Sequence, residues 1–72
     1  MAEIPAHITG TVWTVEVEVG DTVTVGDTVV ILESMKMEMP VEAEIGGTVE
    51  QILCDKGQSV NEGEALLTVR PA

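Results

Sequence analysis

The chain has 72 residues and a formal net charge of −10, with three basic residues against thirteen acidic ones. That length allows one domain with a modest core, and that charge excludes nucleic acid and anionic membrane surfaces, which are bound through clustered Lys and Arg. The single cysteine, Cys54, leaves no intrachain disulfide and suits a reducing compartment; no apolar run approaches a membrane span and the start Met1-Ala2-Glu3-Ile4-Pro5 is no signal peptide, so a cytoplasmic setting is the default expectation.

Valine dominates the apolar residues, Phe and Tyr are absent, and glycines fall at turn positions throughout. This is an all-β composition of short strands and frequent turns. In chain order the strands are expected near 3–8, 11–18, 22–24 and 29–34, then, after a hairpin at 34–37, near 37–45, 48–54, 59–61 and 65–70. Gly20-Asp21 and Gly26-Asp27 flank the short third strand with turn chemistry, as do Gly57-Gln58 and Gly63-Glu64 around the seventh.

The second half repeats the first at one constant offset. Gly10-Thr11-Val12 returns as Gly47-Thr48-Val49, and Gly20, Val23 and Gly26 return as Gly57, Val60 and Gly63. Ala6 and Ile8 answer Ala43 and Ile45, Val15 answers Ile52, Val30 answers Leu67, and Leu32 answers Val69. Val15, Val17 and Val19 alternate with polar residues and should share a face, yet Val12 is out of step with them. The same slip separates Val49 from Ile52 and Cys54, so a β-bulge or bend is expected in both second strands. Two similar halves with bent strands predict a flattened barrel or sandwich with internal pseudo-twofold symmetry and a Val/Ile/Leu core. Its net charge favours a soluble monomer. The hairpin joining the halves has the chain ends as its counterpart, so it should lie at the end of the molecule opposite the termini.

That hairpin is Glu33-Ser34-Met35-Lys36-Met37-Glu38-Met39-Pro40. Two-residue hairpin turns favour Asn-Gly or Asp-Gly, because both central residues need positive φ. Met35 and Lys36 are poor choices there, and a local rule broken at one point often marks function. A longer turn with an exposed lysine of no consequence is the plainer reading, and on sequence physics the two stand level.

The stretch Glu33-Ser34-Met35-Lys36-Met37-Glu38 resembles the attachment motif of biotinyl domains, the biotin/lipoyl attachment family, in which a lysine stands between two methionines. The resemblance runs from about Ala6 to Val69 and takes in Gly10-Thr11-Val12 and the glycine turns of both halves. It implies one biotinyl domain over 1–72, folded as a barrel-sandwich hybrid of two four-stranded antiparallel sheets. It also implies that the chain is a carrier without catalysis of its own. A biotin protein ligase would activate biotin as its adenylate, and the Lys36 amine would attack that anhydride to form an amide. A free lysine is mostly charged at neutral pH, so the ligase must supply desolvation or a base. Attached biotin would then carry a carboxyl group between the biotin carboxylase and carboxyltransferase sites of a biotin-dependent carboxylase. Met35 and Met37 would flank the lysine as apolar contacts for ligase or cofactor, unless they pack on the hairpin's own strands. Glu33 and Glu38 aid docking or simply solvate the strands.

The chain departs from the family pattern at Ala6-His7-Ile8-Thr9-Gly10, where many members carry Pro-Met-Pro-Gly. It also lacks the inserted loop that forms a thumb in some bacterial carriers. Two other readings stay open: a lipoyl carrier with lipoate on the same lysine, and an unmodified interaction module. Among other candidates, Asp55-Lys56-Gly57 resembles a lipoyl tip but falls on the turn equivalent to Val19, so Lys56 reads as a surface turn residue. His7 reads as a strand surface residue, Trp13 as a half-exposed strand residue, and Cys54 as a buried small hydrophobe. A chain starting at Met1 fits a separate carrier subunit.

Overall fold

The β-branched runs form strands wherever they alternate with polar residues, and the glycine turns separate them. The computed structural model describes residues 2–72. It contains β1 (Ala2–Pro5), β2 (Gly10–Val15), β3 (Thr22–Val23), β4 (Thr28–Ser34), β5 (Met37–Glu42), β6 (Gly47–Ile52), β7 (Ser59–Val60) and β8 (Ala65–Pro71), with no helix among the described residues. Two antiparallel four-stranded sheets result, in the orders β1-β8-β6-β3 and β5-β4-β2-β7. Exchanging every strand for its repeat counterpart turns one order into the other. The halves are therefore interlaced: β1 and β3 join strands of the second half, while β2 and β4 join β5 and β7.

Both expected bulges are present. The β2–β4 register steps between Val12 and Thr14, leaving Trp13 as the extra residue, and the β6–β8 register steps between Val49 and Gln51, leaving Glu50. Just before each bulge the backbones come very close. A Cβ on Gly10 would lie 2.5 Å from the Glu33 carbonyl oxygen, and one on Gly47 would meet that of Arg70. No side chain fits there without displacing β4 or β8. Gly10 thus sets the approach of β2 to the strand that leads into the hairpin.

Inside, Val12, Val29, Val30 and Leu32 of one sheet face their counterparts Val49, Leu66, Leu67 and Val69 of the other, all fully buried. Each such side chain contributes about 1.5–3 kcal/mol by its removal from water. Four equivalent turns cap the ends. Glu18 N–H donates to Asp21 Oδ2, Thr24 N–H to Asp27 Oδ2, Asp55 N–H to Gln58 Oε1 and Asn61 N–H to Glu64 Oε1. In each, the glycine at the third position has φ near +90°, between 88° and 97°, which is the type II requirement. The turns also dock across the halves, with Gly20 N–H donating to the Val49 carbonyl and Gly57 N–H to that of Val12.

Several strand ends differ from expectation. β2 stops at Val15 because the chain then runs into the Glu18–Asp21 turn. Val15 and Val17 pack against the core, but Val19 is 62% exposed in that turn, so the three do not share one face. β1 stops at Pro5, which puts His7 in the bend that follows rather than on a strand; it is exposed, as expected. β5 and β6 likewise end at Glu42 and Ile52, short of the expected limits.

Candidate functional site

β4 and β5 pair from Thr28–Glu42 up to a last rung between Ser34 and Met37. Met35 and Lys36 are therefore the whole turn. Their φ angles are 52° and 65°, the doubly left-handed arrangement of a type I′ hairpin, whose twist matches that of the flanking strands. For residues with a Cβ this conformation costs on the order of 1–2 kcal/mol each. They are the only non-glycine residues with positive φ among those described. The hairpin ladder is long enough to impose that geometry, and Pro40 is tolerated in it because β5 is an edge strand.

The side chains of the tip stand in solvent. Met35 is 91% exposed and Met37 61% exposed, so neither is buried against the hairpin's own strands. Lys36 is exposed as well. Arg70–Glu50 is the single ion pair among the described residues, so no carboxylate pairs with the Lys36 amine there. Met39, one turn of the ladder below, faces Leu32 and is half-buried. The geometry offers a nucleophilic amine on an arm, with no walls around it. An open groove of about 540 Å³, lined by Ile4, His7, Val25, Val41 and Ala43 among others, does not include the tip.

The remaining candidates fall elsewhere. Lys56 is exposed at the second position of the Asp55–Gln58 turn, the place taken by Val19, Val25 and Glu62 in the other three. Trp13 is 45% exposed at the β2 bulge. Cys54 is buried, and its thiol is pushed up first by burial and then by Asp55 and Glu64, which disfavours the reactive thiolate. No group of His, Cys, Asp or Glu among the described residues could hold a metal. Sequence reasoning missed that the bulged Trp13 lies beside the row of Thr14, Ile31 and Pro40 across β2, β4 and β5. The bulge at Trp13 sets the β2–β4 part of that row, and the two-residue hairpin sets the β4–β5 part.

Comparison with known proteins bears on the domain as a whole. The family profile described as biotin-requiring enzyme, of the biotin/lipoyl class, matches residues 1–69. The chain is 42% identical over 64 residues to a biotin/lipoyl attachment protein of Bacillus subtilis, covering 89% of this chain and 88% of that one. It is 46% identical over 66 residues to a biotin carboxyl carrier protein of Streptococcus mutans, covering 92% of this chain but 51% of that protein. Among solved structures, urea carboxylase of Kluyveromyces lactis superposes with a TM-score of 0.89 at 37% identity, over 94% of this chain and 6% of the enzyme. With the fold, the repeat and the profile in agreement over nearly its whole length, the chain belongs to the biotin/lipoyl family.

Proposed function

We propose that residues 1–72 act as a single biotinyl domain, a non-catalytic biotin carrier whose Lys36 is the attachment site. The observation that carries this reading is the Lys36 turn: a strained two-residue tip that displays an unpaired amine between two exposed methionines. The choice of biotin is supported by the profile described as biotin-requiring enzyme and by the relative named biotin carboxyl carrier protein. A biotin protein ligase installs the group. The Lys36 amine attacks the activated acyl carbon, the amide forms, AMP departs and the amine's proton is released. Met35 and Met37 give the ligase flexible apolar surface. Biotin bound there supplies the carboxyl-carrying chemistry between the biotin carboxylase and carboxyltransferase sites of a cytoplasmic biotin-dependent carboxylase. The chain's own part is positional: the β4–β5 ladder holds the arm's root, and the tether replaces diffusion with a high effective concentration at both sites.

Intact-mass measurement after incubation with biotin, ATP and a biotin protein ligase tests this. The wild-type chain and Lys56→Arg should each gain one biotin, and Lys36→Arg none; a biotin retained in Lys36→Arg, or lost in Lys56→Arg, places the site on the wrong turn. The Bacillus relative named for both cofactors favours lipoate as the second reading. A lipoyl increment with a lipoate ligase, and none with biotin, would select it.

A further inference from the structure

The two sheets have the same backbone but opposite outer surfaces. In the hairpin's sheet, Thr14, Ile31 and Pro40 form one row across β2, β4 and β5, with the extra residue Trp13 beside them. The next row toward the tip is Thr11, Glu33 and Glu38. At the counterpart positions the other sheet carries Gln51, Thr68 and Glu3, with Glu50 as the extra residue, and Thr48 with Arg70 in the next row. The exposed residues there, Glu3, Thr48, Gln51 and Arg70, are polar, Thr68 among them is buried with no partner for its hydroxyl, and Arg70 neutralises Glu50. The hairpin's sheet instead shows Trp13, Ile31 and Pro40 below two like charges, Glu33 and Glu38, that face each other directly. Such a pair is destabilising, and no cation among the described residues pairs with either.

We propose that this face, centred on Trp13, Ile31 and Pro40 and bordered by Glu33 and Glu38, is where the enzyme that acylates Lys36 docks, through an apolar patch rimmed by Lys or Arg. The proposal rests on Lys36 being the acylated residue. Charge selects the chemistry of the partner: two unneutralised carboxylates on a chain of net charge −10 call for a basic rim. Geometry selects which enzyme. Amide formation brings an active site to the Lys36 amine with no tether between them, so that enzyme's walls must rest on the tip and the surface below it. Sites that act later meet the far end of the arm. A specific interface takes about 800 Å² from each partner, far more than Met35, Lys36 and Met37 can offer. The Ile31–Pro40 pair lies about 10 Å below the last rung at about 3.3 Å per residue, within one such footprint. Trp13 is the kind of residue that anchors interfaces.

The test moves the other sheet's residues into this one. Trp13→Glu, Ile31→Thr and Pro40→Glu copy Glu50, Thr68 and Glu3, which the same backbone already accepts. Transfer of biotin to the full chain by a biotin protein ligase is followed by mass at varied acceptor concentration. Trp13→Glu should raise KM for the acceptor about 10- to 100-fold with kcat little changed, and the other two should raise it less. Glu50→Trp, on the opposite sheet, should leave KM as in the wild type. Unchanged KM in a Trp13→Glu chain that unfolds at the wild-type urea concentration overturns the proposal, as does a fall in kcat alone. If the wild-type chain takes no biotin, the attachment reading itself has failed, and that outcome is distinct from both. Should Trp13→Glu unfold early, Ile31→Thr and Pro40→Glu decide in the same way.

Discussion

The chain reverses tightly in four glycine turns and once at Met35-Lys36, and the contrast separates turning from display. In the four turns, residues that resist left-handed backbone are kept out of the position that needs it, and a side chain from the fourth residue satisfies the first N–H. At the tip the same requirement, doubled, is met by a methionine and a lysine. A turn that only joined strands would use Asn-Gly. Strain persists where the surroundings over-determine it and function needs it; here the β4–β5 ladder is the over-determining element.

Three changes would break or sharpen this contrast. Gly57→Ala places a Cβ where φ is 88°, and should cost about 1–2 kcal/mol in urea unfolding; a neutral result would mean that these turns are not obliged to use glycine. Met35→Asn puts a residue that tolerates the left-handed region at φ 52°. It should gain about 0.5–1 kcal/mol while slowing transfer of biotin to Lys36, and no gain in stability would show that the tip is relaxed. The smallest effect is confined to alkaline pH and concerns Cys54, which lies under the Asp55 turn. Its thiol is raised by burial and by the carboxylates of Asp55 and Glu64. The unfolded chain's thiol ionises from about pH 8.5 while the folded one keeps its proton. Stability that is fully present below that pH is therefore lost as pH rises through the folded value. Cys54→Val, which copies the counterpart Val17, should match the wild type at neutral pH and lose less stability above about pH 8.5 in urea titrations.

The repeat made most of the fold legible, because Gly10/Gly47, Val12/Val49 and the glycine turns recur with hydrophobic phase intact. Strand ends were less legible for a definite reason. The alternation of Val15, Val17 and Val19 runs straight into a turn, since the second position of a type II turn accepts valine as readily as lysine. Ala6 and Ile8 likewise keep pointing inward in a bend after pairing has stopped. The repeat assigned the hairpin a place and Lys56 a different turn, while the choice of Lys36 over a plain turn lysine rested on the resemblance to biotinyl domains. The placing of Trp13 beside Ile31 and Pro40 was hidden, since these residues are distant in sequence and are brought near only through a bulge and two registers.

The interlacing of the halves also bears on how the molecule forms. Of the six strand pairings among the described residues, only β4–β5 joins neighbours in sequence; β1 must find β8, and Ala2 must reach Val69. Every other pairing first closes a longer loop, with an entropy cost that precedes any reward and slows folding. The hairpin that displays Lys36 is thus the most strained turn in the molecule and also the stretch of sheet whose closure demands least of the chain.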